Sequence, residues 1–244
     1  MQMLISPPPA QVDWSRHALF FDFDGTLTPI VAHPDDVELS VDAAALLAGA
    51  CTATAGATAI VSGRALDDLS RHIRDAAILL SGSHGAEIGH AGRKPLPDPS
   101  IVAAQAALAP FAAAHDLLLE TKPGSVALHY RSAPDRMAAV QQQIETVSQQ
   151  IELRALHGNM VSEATLPGVT KGTALQRIMV DSPFAGRLPV MIGDDVTDED
   201  GFVAAQALGG FGLRIGTNQT AARYAVADID AMHDWLAKAL GRSR

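Results

Sequence analysis

FFDFDGTLTPI, running from Phe20 to Ile30, is the stretch on which the reading of this chain turns. Its aromatic start has the character of a buried β-strand, yet two carboxylates, Asp22 and Asp24, sit inside the run with one residue between them. If the strand persists, residues two apart point to the same side, and Gly25-Thr26 then turns the chain sharply. Two carboxylates held close repel unless a cation or a shared proton relieves them. Taken alone, the stretch is either a strand ending in an Asp-Gly turn with a capping acid, or the acidic end of a metal site.

The surrounding sequence supplies a frame for that strand. HALFFDFDG, VDAAALLAGA, ATAIVSGR, LDDLSRHI and AILLSGSHG alternate apolar runs of strand length with longer Ala/Leu-rich stretches. Such alternation predicts an α/β fold, a Rossmann-like parallel sheet covered on both faces, because parallel neighbours need crossover helices. Near Gly92 the character changes to GRKPLPDPS, a polar, Pro-rich break. Beyond it come a helical IVAAQAALAPFAAAH, two strand-like runs flanking Lys-Pro-Gly-Ser, a helical DRMAAVQQQIETVSQQI and a strand-like MVSEATLP. After Gly168 the first pattern resumes with GVTKGTALQRIMV, LPVMIGDDVTDEDGF and GFGLRIG, and AMHDWLAKAL reads as a last amphipathic helix. The expected layout is therefore a flexible lead-in over 1–15 carrying Pro7–Pro9, an α/β core over 16–95 and 167–244, and an inserted α+β cap over 96–166.

Composition excludes several classes of function. The chain has 244 residues, 48% hydrophobic and 18% charged, which fits a globular protein with a sizeable core. Aromatic content is only 5%, so that core rests on Ala, Leu, Val and Ile. A formal net charge of −9 with no Lys/Arg cluster argues against nucleic acid and against an anionic membrane surface. An anionic ligand would need local cations or a metal to hold it. The single cysteine, Cys51, reads as a small apolar core residue. No basic flank precedes a long apolar segment, and no run of about 18 apolar residues occurs, so a cytoplasmic protein is expected.

In open parallel sheets ligands bind beyond the carboxyl ends of the strands, and the chemically active residue types of this chain fall at such ends. AIVSGR places Ser62 directly after Ala59-Ile60-Val61, where a hydroxyl and nearby amides can bind an oxyanion, or simply make a turn. TKG sets Lys171 before a helix, where a cation is unfavourable at the positive end of the dipole unless something anionic is near. GDDVTDED carries five acids within seven residues. Helix capping by Thr197 accounts for Glu199 and Asp200, but not for Asp194 at the strand end; Asp195 is a ligand or a neighbour of Lys171. Asp22, Asp24 and Asp194 suit Mg²⁺, which takes few carboxylates plus phosphate and water oxygens, and no His/Cys cluster competes for a softer metal. One carboxylate can then attack phosphorus while its neighbour protonates the leaving alkoxide and later activates water, with cations and hydroxyls holding the phosphoryl oxygens.

DFDGT, VSGR, TKG and GDDVTDED, in that order, resemble the four motifs of the haloacid dehalogenase superfamily of aspartyl phosphatases. That resemblance implies Asp22 as nucleophile, Asp24 as general acid/base, and Ser62 and Lys171 as phosphate ligands. It further implies Mg²⁺ on Asp22, the Asp24 carbonyl and Asp194, with Asp198 supporting the metal from behind. SGSHGAEI, KPGSVALHYR, GVTKG, GDDVTDEDGF and LRIGT are similar to the trehalose-6-phosphate phosphatase family, whose C2-type cap closes over the sugar. By that likeness the substrate is a small sugar phosphate, trehalose 6-phosphate, and Arg64, His84, Gly85, Lys122, His129 and Glu163 contact it. A functional link to a trehalose-6-phosphate synthase is part of the same expectation. One departure stands in EATLP, Glu163 to Pro167, where Thr165 occupies the place of the family's basic residue. Alternatives are a phosphatase of sucrose 6-phosphate or mannosyl-3-phosphoglycerate, and a catalytically silent sugar-phosphate sensor on the same fold.

Overall fold

The computed structural model describes residues 6–31, 33–73, 75, 77–90 and 98–241. β1 (His17–Phe21) is apolar throughout because both of its faces are covered: Leu19 and Phe21 enter one hydrophobic cluster, Ala18 and Phe20 another. α1 (Val41–Ala53) starts at Ser40, whose hydroxyl accepts the Ala43 amide and so caps the helix. β2 (Thr58–Val61), α2 (Leu66–His72), β3 (Leu79–Gly82) and the short β4 (Glu87–Gly89) follow.

A second set comes next: α3 (Pro99–Ala114), β5 (Leu118–Lys122), β6 (Ser125–His129), α4 (Met137–Ile151), β7 (Arg154–Gly158) and β8 (Val161–Thr165). The chain then continues with α5 (Lys171–Ile178), β9 (Leu188–Gly193), α6 (Glu199–Ala207), β10 (Phe211–Ile215), β11 (Tyr224–Val226) and α7 (Ile229–Ala239). These elements divide into two compact units, Met1–Arg93 with Thr170–Arg244, and Lys94–Val169.

In the first unit the described residues form a seven-stranded sheet in the order β11-β10-β9-β1-β2-β3-β4. Every pairing is parallel except that of β4 with β3. α1, α2 and α7 contribute Leu46, Leu69 and Trp235 to the cluster on one face, and α5 and α6 contribute Leu175 and Phe202 to the other. β9, β1 and β2 are central neighbours, with Phe21 opposite both Ile192 and Ile60. The Asp22 amide still donates to the Ile192 carbonyl at 2.9 Å, so regular pairing runs right up to the first acid.

The second unit is an antiparallel sheet, β5-β6-β8-β7, backed by α3 and α4. Lys122 pairs with Ser125, so the hairpin turn is Pro123-Gly124 alone. Alternation assigns the two faces: Val126, Leu128, Leu119 and Ala155 pack with Ile101, Leu108, Val140 and Ile144 of the helices. The intervening residues Lys122, Glu120, His129, Glu163 and Thr165 share the opposite face by register.

Two features differ from the sequence expectations. From Ser6 onward the lead-in is held down, by a bridge between Ser6 and Tyr224 and by indole donation from Trp235 to the Pro9 carbonyl at 2.8 Å. Trp14 is buried and donates to the Ala239 carbonyl at 2.7 Å, which ties the segment to the end of α7. β4, β7 and β11 were not anticipated, and of the break at Gly92–Ser100 the part up to Pro97 lies outside the described residues. No helix among the described residues is long and apolar enough to cross a membrane.

Candidate active site

Asp22, just past β1, and Asp194, just past β9, are brought together because those strands are adjacent and in register. Lys171, the first residue of α5, is 2% exposed, and its ammonium lies 2.8 Å from Asp22 Oδ1 and 2.7 Å from Asp198 Oδ1. Those two acids answer the anomaly of a lysine at a helix start. The other Asp198 oxygen accepts the amides of Asp194 and Asp195 at 3.0 and 2.9 Å, which folds the acidic loop back on itself. Asp194 Oδ1 accepts the Thr26 hydroxyl at 3.1 Å. Gly25 and Gly193 are required by this packing, since a Cβ at either would collide with the carboxylate of Asp194 or Asp198 respectively.

Asp22, Asp194 and Asp198 offer carboxylate oxygens that all lie within 4.8 Å of one another. Three carboxylates against one buried ammonium leave a surplus of two negative charges when all are ionised. The titration of the site follows that surplus. Burial, helped by Asp198 and Asp194 and opposed by Lys171, holds the Asp22 carboxyl well above the ordinary aspartate value. Burial and then Asp198 push Asp194 up to about 6. For Lys171, burial opposes the charge, but Asp198 and Asp22 outweigh it and keep the pKa above the usual lysine range.

A divalent cation fits this donor set. Asp198 has both oxygens engaged, whereas Asp22 and Asp194 each keep one oxygen without a hydrogen bond among the described residues. The turn bonds after β1 use the carbonyls of Phe23 and Thr28 and leave that of Asp24 aside. All of these are oxygen donors, which is what Mg²⁺ prefers. Asp198, with one oxygen on Lys171 and the other on the Asp194 and Asp195 amides, orients the acidic loop.

The Asp24 carboxylate is turned elsewhere. Arg64 grips it with two parallel bonds, Nε at 2.6 Å and a terminal nitrogen at 2.7 Å, and gives its other terminal nitrogen to Asp68 at 2.7 Å. Arg64, one of the expected substrate contacts, thus stands paired with the neighbour of the first acid. Ser62 is buried at the end of β2, its hydroxyl accepting the Arg64 amide at 3.2 Å. His84 and Gly85 lie in a turn pressed onto that loop, with the His84 amide bonded to the Ser62 carbonyl at 2.9 Å.

In the second unit, the predicted residues Lys122, His129 and Glu163 cluster around an acid the sequence reading passed over. Glu120 accepts His129 Nε2 at 2.8 Å and stands 3.5 Å from the Lys122 ammonium, which is 3.6 Å from Glu163. Burial works against the Glu120 charge, but His129 and Lys122 win and hold its carboxyl below the ordinary value. Lys122 is likewise kept charged by Glu163 and Glu120 against its burial.

The trehalose-phosphatase family model matches residues 20–230. Trehalose-6-phosphate phosphatase of Escherichia coli is 36% identical over 233 residues, covering 91% of this chain and 86% of its own. A probable trehalose-phosphate phosphatase of Sinorhizobium fredii is also 36% identical, with 84% and 79% covered. The chain belongs to the trehalose-phosphatase family. Among solved structures, the C-terminal domain of a Candida albicans trehalose-6-phosphate phosphatase has the same fold, with a TM-score of 0.79 at 20% identity, covering 94% of this chain and 93% of that one. A trehalose-6-phosphate phosphatase related protein gives 0.72 at 25% identity, covering 92% and 98%.

Within this trehalose-phosphatase site two local expectations are corrected. Thr197 is not the cap: Asp195 is, in a reciprocal capping box with Asp198 that opens the turn before α6. Glu199 is more than a first-turn acid, because it accepts from buried Arg214 at 3.3 Å and from the Ala221 amide at 2.7 Å. Glu120 was findable in the sequence, as it stands two residues before Lys122 on the same strand face. Asp68, four residues after Arg64, would have been visible only once Arg64 and α2 were placed in one turn.

Proposed function

We propose that the chain hydrolyses trehalose 6-phosphate to trehalose and phosphate, with Mg²⁺, through an aspartyl-phosphate intermediate. The observation that carries this reading is the buried carboxylate cluster around Lys171, at the adjacent ends of β1 and β9, in a chain of this family. Mg²⁺ would be held by Asp22, Asp194 and the Asp24 carbonyl, where it supplies charge neutralisation to the phosphoryl oxygens.

The residues divide the work as follows. Lys171 and Ser62 hold the phosphoryl group, and Asp22 attacks phosphorus as its P–O bond to the sugar breaks. Asp24 gives a proton to the departing sugar oxygen. It then takes a proton from a water, whose oxygen attacks phosphorus and returns Asp22 as a carboxylate. The bidentate grip of Arg64 uses both Asp24 oxygens as acceptors, the state needed for the second step. Donation in the first step requires Arg64 to release one of them. Lys122, His129 and Glu163, with His84, Gly85 and Arg64, are assigned to recognition of the substrate, and the cap role of the second unit belongs to the same reading. So do a cytoplasmic setting and a functional link to a synthase of the substrate.

Phosphate release should be measured from trehalose 6-phosphate, sucrose 6-phosphate and mannosyl-3-phosphoglycerate, with Mg²⁺ and with EDTA. Trehalose 6-phosphate is expected to win by about tenfold or more in kcat/KM, in line with the hydrogen bonds its rivals would leave unmade. EDTA should abolish the activity and Mg²⁺ restore it. Preference for another substrate would overturn the sugar, and EDTA-resistant turnover would overturn the metal.

The raised Asp194 gives a second expectation. Without metal the folded protein binds an extra proton between the ordinary value of 3.8 and about 6, so its stability falls as pH rises through that window. Mg²⁺ competes with that proton. The gain in Tm on replacing EDTA by Mg²⁺ is therefore expected to be larger near pH 7 than near pH 5, and an equal gain at both would remove Asp194 from the ion.

A further inference from the structure

Ser83, His84 and Gly85 have φ of 49°, 57° and 117°, three successive left-handed residues of which two are not glycine. Such a run is unfavourable and persists only where the surroundings over-determine it. Here they do. The Ser83 and His84 amides donate to the carbonyls of Arg64 and Ser62 at 2.8 and 2.9 Å, so the turn after β3 is fastened to the turn after β2. The His84 ring lies where a side chain on Gly63 would be, since a Cβ there would come within 2.8 Å of it. Arg177 of α5 donates to the Gly85 carbonyl at 3.0 Å from the other side.

One side chain joins both turns, and the proposed mechanism does not use it. Glu87, the first residue of β4, is 3% exposed. Its Oε2 accepts the Ser83 hydroxyl at 2.8 Å and the Leu66 amide at 3.1 Å. Leu66 begins α2, whose cap position is Ala65, with no side-chain oxygen to offer. A buried carboxylate is costly unless it is bonded, and this one takes its bonds from the two turns that carry Ser62 and His84.

We infer that Glu87 is a positioning residue that locks the His84 turn to the Ser62 turn, so that recognition of the sugar is set in register with recognition of the phosphate. This rests on the reading of the site as a sugar-phosphate phosphatase. Ser62 has its own anchor, its amide donating to the Ser81 carbonyl at 2.9 Å. Loss of Glu87 therefore loosens the His84 turn, which keeps its backbone bonds and the Arg177 bond, while leaving the phosphate end in place.

Glu87→Ala, Glu87→Gln and Ser83→Ala should be assayed in the full chain on trehalose 6-phosphate and on p-nitrophenyl phosphate, which has no sugar. Glu87→Ala is expected to lower kcat/KM for the sugar phosphate by about 30-fold, chiefly through KM, and that for the aryl phosphate by no more than about threefold. Glu87→Gln, whose amide oxygen can accept the same two bonds, should stay near wild type, and Ser83→Ala should move the same way as Glu87→Ala but less. Amide exchange at Leu66 and His84 should rise in Glu87→Ala without any substrate, a readout that holds whatever the wild-type enzyme hydrolyses. Equal losses on both substrates would reduce Glu87 to a structural residue, and unchanged exchange would overturn the lock itself. Should Glu87→Ala fail to fold, Ser83→Ala, which spares the Leu66 bond, decides between these outcomes alone.

Discussion

Replacing Asp22 with asparagine is expected to abolish phosphate release from trehalose 6-phosphate, by roughly 10⁴-fold or more, with the fold intact. Asparagine matches the shape of aspartate but its amide does not attack phosphorus, so the covalent step is lost outright. The strand end is held by the backbone, through the Asp22 amide and the Ile192 carbonyl, which the substitution leaves alone. The variant can still turn its amide oxygen to Lys171, now 2.8 Å from the carboxylate. Removing a charge that burial already disfavours also reduces the negative surplus around Lys171. In EDTA the Tm of Asp22→Asn should therefore be no lower than that of the wild type, which separates chemistry from folding. Turnover within about tenfold of wild type would remove Asp22 from the role of nucleophile.

The strand ends were legible because the signal is local. An apolar run followed at once by acids, as in β1 into Asp22 and β9 into Asp194, states in a few residues both that a strand is buried and that its end is not ordinary core. Lys171 was legible for a similar reason, since a cation at the start of a helix asks for an anion. What the sequence withheld is how these groups share one another. Asp198 reads as a first-turn acid, yet it reaches back to the Asp194 and Asp195 amides and across 27 residues to Lys171. Arg64 and Asp24 are 40 residues apart, and nothing in either neighbourhood announces a bidentate pair. β4 and β11 are three residues each, too short for a period to show, and RALHG of β7 has no apolar alternation because that strand lies at the sheet edge. The prolines of the lead-in predict a flexible segment, whereas two tryptophans hold it by indole bonds that composition does not reveal.

Lys171→Met tests the charge balance on which the whole site depends. Methionine keeps the unbranched stem and fills irregular apolar space, so packing against α5 and the sheet is largely retained. What disappears is the one ammonium between Asp22 at 2.8 Å and Asp198 at 2.7 Å, both almost fully enclosed. Breaking a buried pair from one side leaves a charge with no compensation, at a cost of about 3–5 kcal/mol. The metal-free variant should lose stability of that order in urea denaturation near pH 7. In the wild type the stabilisation by Lys171 is complete below the ordinary lysine value of 10.5 and is lost as pH rises from there through its raised folded value, so it is fully present across neutral pH. In the variant the carboxylates are relieved by taking up protons, and the deficit should shrink as pH falls from about 7 to about 5. Mg²⁺ should recover part of it, because a cation on Asp22 and Asp194 replaces some of the missing charge. Activity should stay about 10³-fold down even with Mg²⁺, since the phosphoryl group has lost its own cation. A deficit that ignored both pH and Mg²⁺ would show that Lys171 acts by filling space, and the reading of the cluster as a charge-balanced phosphate site would fall with it.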